Sequence, residues 1–406
     1  MTVNVNSLPV VNTHVHFPPN FSAFATVDDA IDAAVAESVA AIGISNFYDQ
    51  QVYSRFAERA AEAGIVALFG LEFITLDPEL EAAGARVNDP ANPGRIYLCG
   101  KGISAAGPRT EQARATAAKI REANDARAEA MVSRVAEHFA AHGFDTGVTA
   151  ASVAEQVAGR ADVPSSWVSL QERHIAAAFQ EALAELPRDE RAAVLERAYG
   201  RASGVDPDDA GALQAELRSR LLKAGTPGFV AEAPLSFAEA RALVLASGGI
   251  PTYPIIADGA PPPSAFEYPP AGLADRLRER GIHAAELIPL RNASAMVDEY
   301  VSALTAAGLV VVAGTEHNTP ERIAYQPSCA DGPLSDAARA AFWEGACIVA
   351  AHQSLVAAGQ PGYVDANGDL VGDDPAARRA ELAALGARLI TTPSSSDAGT
   401  PKEDRA

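Results

Sequence analysis

Cysteine is scarce: Cys99, Cys329 and Cys347 are too few and too scattered across 406 residues for a disulfide framework or a cysteine-only zinc site, and they fit a reducing compartment. Positive charge is also short. With 32 Lys and Arg against 52 Asp and Glu, the formal net charge of −20 disfavours nucleic acid or an anionic membrane as a partner. Long hydrophobic runs are missing, because alanine-rich polar stretches interrupt each apolar segment before membrane-spanning length. The opening residues lack the basic start and apolar stretch of a secretory leader. These absences point to a cytoplasmic protein whose partner is a small anionic molecule held by local basic residues, with homo-oligomerisation left open. What is present is apolar content, 48% against 21% charged, enough for a large core.

Within that chain the pair His14 and His16, in Val10-Val11-Asn12-Thr13-His14-Val15-His16, carries the most chemical information. A strand repeats its side-chain direction every two residues, so both imidazoles face one way at the end of an apolar run. Two nitrogen donors converging there begin a divalent metal site, although two histidines flanking a valine on a half-exposed strand would look the same.

From residue 1 to 108, short apolar runs alternate with amphipathic helices, the pattern of β/α units around a sheet or barrel. Strands are expected at Leu8 to Val15, Ala40 to Ile44, Ile65 to Leu71 and Arg95 to Cys99. Residues 109–228 switch to alanine, glutamate and arginine at helical spacing, read as a helical insertion that could form a lid. The β/α rhythm returns over 229–325, with helices at Phe237 to Ala246, Ala271 to Arg280 and Ala295 to Ala307 and strands at Gly249 to Ile256, Ala284 to Pro289 and Leu309 to Gly314. A helical C-terminal extension follows over 326–390, and 391–406 is expected to be a disordered tail. Asp365, Asn367 and Asp369 mimic a calcium loop, but Leu370 stands where the loop needs glycine, so a hairpin turn is expected instead.

If the strands run parallel, the residues that follow them meet on one rim. Those residues are His14 and His16, Asn46, Glu72, Lys101, Tyr253 with Asp258, Arg291 with Asn292, and finally Glu316, His317 and Asn318. His14, His16, Glu72 and Glu316 make an N2O2 set suited to zinc, manganese or iron, and Gly314 allows close backbone approach before Glu316. Bland alternatives exist for each: a strand-end salt bridge for Glu72, helix capping for Glu316 or His317, an ordinary surface lysine for Lys101. Of the other histidines, His138, His142, His283 and His352 read as surface or core residues, whereas Arg173 and His174 in the insertion could reach a substrate if that layer covers the rim.

The ordered motifs His14-Val15-His16, Ile44-Ser45-Asn46-Phe47, Gly70-Leu71-Glu72, Gly249-Ile250-Pro251-Thr252-Tyr253-Pro254 and Gly314-Thr315-Glu316-His317 resemble the PHP family, the polymerase and histidinol phosphatase phosphoesterases. The resemblance covers about residues 8 to 103 and 236 to 322 and implies an α/β fold, a distorted (β/α)7 barrel with a trinuclear metal site. This chain departs from the family at Asn46-Phe47 in place of Asp-His, at Tyr253 before Pro254, at Tyr97 where histidine is expected, and at Glu316 and Asn318 in the closing motif. The set surviving for one metal is His14, His16, Glu72 and Glu316, so the resemblance implies a one-metal derivative in which Lys101, His317, Tyr253 and Arg291 fill the space of absent ions.

On that reading His317 is the expected base, Arg291 the fork for a phosphate or carboxylate, and Lys101 an electrostatic stabiliser or a carbonyl nucleophile. Asn46, Asp258, Asn292, Arg173 and His174 are the expected substrate contacts. The leading expectation is a metal-dependent hydrolase of a small anionic metabolite, a phosphoester first. A metal-dependent lyase or isomerase of a sugar acid, and a non-catalytic metabolite-binding module, are the alternatives. A DNA-directed role is disfavoured because no basic stripe accompanies the barrel motifs.

Overall fold

The computed structural model describes residues 7–392; the part of the expected tail beyond residue 392 lies outside them. The strands are β1 (Val10–Val15), β2 (Val39–Ile44), β3 (Asn46–Phe47), β4 (Val66–Leu68), β5 (Gly70–Leu76), β6 (Arg95–Lys101), β7 (Leu235–Ser236), β8 (Ile250–Ile255), β9 (Ala284–Leu287) and β10 (Val310–Ala313). The helices of the first half are α1 (Val27–Ala36), α2 (Tyr53–Glu62), α3 (Pro78–Ala82), α4 (Glu111–Ala141), α5 (Ala150–Ala161), α6 (Glu172–Ala184), α7 (Arg188–Tyr199) and α8 (Ala210–Leu217). After them come α9 (Phe237–Ala246), α10 (Pro270–Glu279), α11 (Ser294–Ala306), α12 (Asp336–Ala357) and α13 (Pro375–Thr391).

Local chemistry explains these boundaries. The Thr26 hydroxyl accepts from the Asp29 amide to start α1, and Val27, Ala30, Ile31 and Ala34 then fall on one buried stripe at i, i+3, i+4 and i+7. Ser236 and Glu239 close a capping box at the head of α9. At the turn expected near Asn367, the Asp365 amide donates to Asp369 O at 2.9 Å, closing a tight reversal.

The strands form two hydrogen-bonded sets, β1-β2-β4 and β10-β9-β8-β6-β5-β3, with β7 beside β5. Chain continuity joins the sets, since β2 runs into β3 across Ser45 and β4 into β5 across Phe69. No ladder joins β10 to β1, so hydrogen bonds do not close a barrel. Instead the segment after β10 bridges that seam: the Thr315 and Glu316 amides donate to His14 O, and the His16 amide donates to Glu316 O at 2.7 Å. This seam becomes the centre of the site.

One strand departs from the expected pattern. β6 is antiparallel to both β5 and β8. The link before it contains only the five-residue α3, and the Asp77 amide closes it by donating to Gly94 O. Such an excursion returns the chain alongside β5, whereas a parallel partner needs a crossover that carries the chain back to the start. The end of β6 therefore lies at the opposite rim from the ends of its neighbours.

Between β6 and β7 helices α4 to α8 build a hydrophobic cluster of their own, centred on Phe139, Phe179, Leu183 and Leu195. α12 packs across the starts of the strands, where Cys347 to Ala351 meet Ala41, Leu68, Ile250, Ala284 and Val310. No described helix is long and apolar enough to cross a membrane.

Two buried histidines pin these layers. The His352 ring lies between Gly248 O and the Tyr363 amide, and burial lowers its pKa to about 4; burial lowers that of His174 to about 3. Both are neutral when folded and titrate near 6.5 when unfolded, so the unfolded chain binds more protons between those values and stability is lost as pH falls below about 6.5. Asp49 and Glu267, raised by burial to about 6 and about 7, act in the opposite sense, so the test is a difference. In urea unfolding, acidification from pH 7 to pH 5 should cost the wild type about 2 kcal/mol more than His352→Gln. Identical pH profiles for the two would contradict this assignment.

Candidate metal centre

The β1 alternation turns His14 and His16 the same way, both 1% exposed. Their Nε2 atoms lie 3.4 Å apart, and Glu72 from β5 places Oε2 3.4 Å from His16 Nε2 and 3.9 Å from His14 Nε2. A tetrahedral ion with bonds of about 2.0–2.2 Å holds neighbouring donors about 3.3–3.6 Å apart; two edges of this triangle match, and the 3.9 Å edge between His14 and Glu72 needs a small side-chain adjustment to share one cation. His14 is also oriented for that task. Its Nδ1 meets Glu286 Oε2 at 2.7 Å, the carboxylate–histidine arrangement that leaves Nε2 as the lone-pair donor.

Glu286 is fully buried on β9. Burial alone would raise its pKa, but the Lys101 ammonium and His14 outweigh that and hold it at about 2. Lys101 spends its donors on Glu286 Oε1 at 2.7 Å, Thr13 O at 2.8 Å and Ser45 Oγ at 2.8 Å. Because β6 runs antiparallel, Lys101 reaches the interior between the strands from the far end, 2% exposed, and is a structural counter-ion to Glu286. That geometry removes the expected nucleophile. Cys99 lies near His14 and Glu286 as a second group of possible donors; there His14 and Glu286 are bonded to one another, and burial raises the thiol well above its ordinary range.

Glu316 sits against His14 and His16 through the backbone pairing at the seam, with its carboxylate turned to Arg291 Nη2 and Asn318 Nδ2. Among the described residues His14, His16 and Glu72 form a close donor group, as do His14, Cys99 and Glu286; Glu316, expected as the fourth ligand, belongs to neither. Burial would raise the Glu316 pKa, but Arg291, then His14 and His16, leave it lowered. Both Glu316 and His317 have left-handed backbones, φ 63° and 52°, a conformation costing about 1–3 kcal/mol each outside glycine. Gly314 just before them cannot be replaced without movement, since a Cβ there would lie 2.1 Å from His14 Cβ.

Two cavities open on this centre. One of about 300 Å³ lies between the strand ends and the helical layer and includes His16 and Arg173; the other, about 190 Å³, includes Glu72, Arg291 and Glu316. They share Phe47, Asp89, Tyr97 and Asn318. The start of β6 thus brings Tyr97 to the mouth, as the antiparallel direction requires.

No family model and no curated protein matches the chain. Solved structures do. An amidohydrolase from Chromobacterium violaceum, with bound sulfate and no metal, aligns over 79% of this chain and 93% of its own at 17% identity and a TM-score of 0.50. A protein from Bifidobacterium adolescentis named as a metal-dependent phosphoesterase aligns over 82% of this chain and 95% of its own at 15% identity and a TM-score of 0.56. What the chain shares with them is the fold.

The remaining residues singled out from sequence divide sharply. His317 has Nδ1 on Thr315 Oγ1 at 2.7 Å and Nε2 donating to Ile323 O at 2.9 Å, and its ring packs against both Phe24 and Tyr325. With both nitrogens bound, it is a brace for the strained loop and not the expected base. Tyr253 shares the outward side of the sheet with its register partner Ala285, opposite to Glu286, and its hydroxyl bonds Glu267 in the helix-facing core. It does not reach the centre. Asn46 locks the backbone after His16 through both Phe17 N and Phe17 O, while Asp258 and Asn292 brace one another's loops. His174 caps the start of α6 by accepting from the Gln171 amide. These four are structural where substrate contact was expected.

Of that group Arg173 lines the larger of the two cavities, beside Arg218, Arg127 and Arg95, which sequence reasoning did not single out. Glu286 was missed as well. Its signal was present: a lone carboxylate inside Ala284-Ala285-Glu286-Leu287 must be paired or ligating.

Proposed function

We propose that this chain is a metal-dependent hydrolase of a small anionic metabolite, a phosphoester first, using one zinc, manganese or iron ion in a PHP-type barrel. The observation that carries the reading is the triangle of His14, His16 and Glu72, with His14 fixed by Glu286. A divalent cation bound there would supply Lewis-acid polarisation of a substrate oxygen.

The protein's own groups do the rest. Glu286 keeps the His14 proton on Nδ1, and Lys101 keeps Glu286 ionised. Glu316 is the ionised carboxylate beside Glu72 in the smaller cavity, available to accept a proton now that His317 is fully bonded. Arg291, 43% exposed at its side chain, engages Glu316 through one terminal nitrogen and keeps further N–H groups for a phosphate. The sulfate in the Chromobacterium neighbour and the phosphoesterase name of the Bifidobacterium one support a tetrahedral oxyanion as ligand. The lyase alternative loses its amine, because Lys101 is buried and fully bonded.

The test is phosphate release from a panel of phosphorylated metabolites by chelator-treated protein reloaded with zinc, manganese or ferrous iron. Release that returns with metal and is lost in His16→Ala supports the proposal. Turnover that survives chelation, or that yields product without phosphate, contradicts it.

A further inference from the structure

In a chain of net charge −20, the larger cavity gathers five cationic side chains. Most are already matched. Arg127, Arg95 and Lys223 pair with Glu172 or Glu232. Arg173 is different: it makes no ion pair or hydrogen bond among the described residues and only lies over the Phe21 ring, 5.4 Å from its centroid. Arg218 is the second exception. It reaches Glu172 at 3.7 Å, an acid already held by Arg127 and Lys223, and its buried Nε has no hydrogen-bond partner.

A largely enclosed guanidinium with N–H groups left over is costly unless a ligand completes it, and Arg173 and Arg218, facing one cavity, repel each other. Burial and Arg218 both depress the Arg173 pKa, with Glu316 opposing, so Arg173 lies within electrostatic reach of the Glu316 carboxylate. Both arginines come from the helical layer, whereas the metal donors come from the strands. The layer is fastened over the strand ends by Gln171, whose side chain accepts from the Phe21 amide at 2.7 Å and donates to Asn20 Oδ1 at 3.2 Å.

We infer that Arg173 and Arg218 form a second anion-binding locus, so that the substrate is a small molecule carrying a phosphate or carboxylate remote from the bond that reacts. This deepens the proposed function, on whose reading of the metal centre it rests for the word substrate. The locus itself is testable without catalysis.

The experiment is calorimetric titration of inorganic phosphate, and separately of acetate, into the full-length protein in the presence of chelator. Wild type, Arg173→Gln, Arg218→Gln, Arg173→Lys and His16→Ala are compared, with circular dichroism to confirm folding. The expected result is saturable binding of phosphate or acetate to wild type and equally to His16→Ala. Either glutamine variant should weaken it by about tenfold or more, since each removes charge-assisted hydrogen bonds. Arg173→Lys keeps the charge but loses the fork and should fall between. The better-bound anion names the group. Binding unchanged in the arginine variants, or lost in His16→Ala alone, overturns the inference, as does absence of binding to wild type. Absence of phosphatase activity with intact anion binding would instead count against the proposed reaction only.

Discussion

Replacing His16 with alanine is expected to strip the purified protein of its metal. Wild type should carry close to one equivalent of a divalent transition metal per chain, and His16→Ala or Glu72→Gln should lower affinity by more than about 100-fold, since losing even an outer hydrogen-bond partner costs about 10–100-fold. Glu286→Gln falls in that outer class: it removes the carboxylate that fixes the His14 tautomer while leaving all three donors in place. Elemental analysis after dialysis at matched free metal separates the two levels of effect. Wild type with three equivalents would mean that further residues ligate; wild type with none, at saturating metal, would remove the basis for the proposed reaction.

The second large effect concerns stability. Lys101→Met should destabilise the fold by about 3–5 kcal/mol, because it leaves the Glu286 carboxylate buried without its cation. The double replacement Lys101→Met with Glu286→Met should recover part of that loss, since no uncompensated charge then remains inside. Urea unfolding of the two singles and the double measures the coupling. A loss below about 1 kcal/mol for Lys101→Met would place the side chain in solvent, where the sequence alternative had it.

These two results fall on either side of what could be read from the chain. Elements were legible where a pattern is local: α9 spans Phe237–Ala246 as expected, because a capping box and apolar spacing both act within a few residues. Gly314 was legible for a similar reason, its small size being the only evident way to bring a strand end against His14. The structure also gathers His14, His16 and Glu72, which sequence order alone had suggested could share a rim. Lys101 was misplaced because strand direction depends on the link before it, and the hydrophobic run of β6 reads the same in either sense. His317 and Tyr253 have the right chemistry for catalysis, yet a hydroxyl and a carbonyl claim one and a buried carboxylate the other. Such long-range partners leave no trace in spacing. Arg218 escaped notice because it looks like an ordinary charge until the fold buries its Nε without a partner, whereas Glu286, a lone carboxylate in an apolar strand, left a signal that was passed over.

The most direct test is anomalous diffraction from crystals soaked separately in zinc and in manganese. A single strong peak about 2.0–2.2 Å from His14 Nε2, His16 Nε2 and a Glu72 carboxylate oxygen is the expected result. A map with its peaks elsewhere, or with none at millimolar metal, would show that these three side chains do not share an ion.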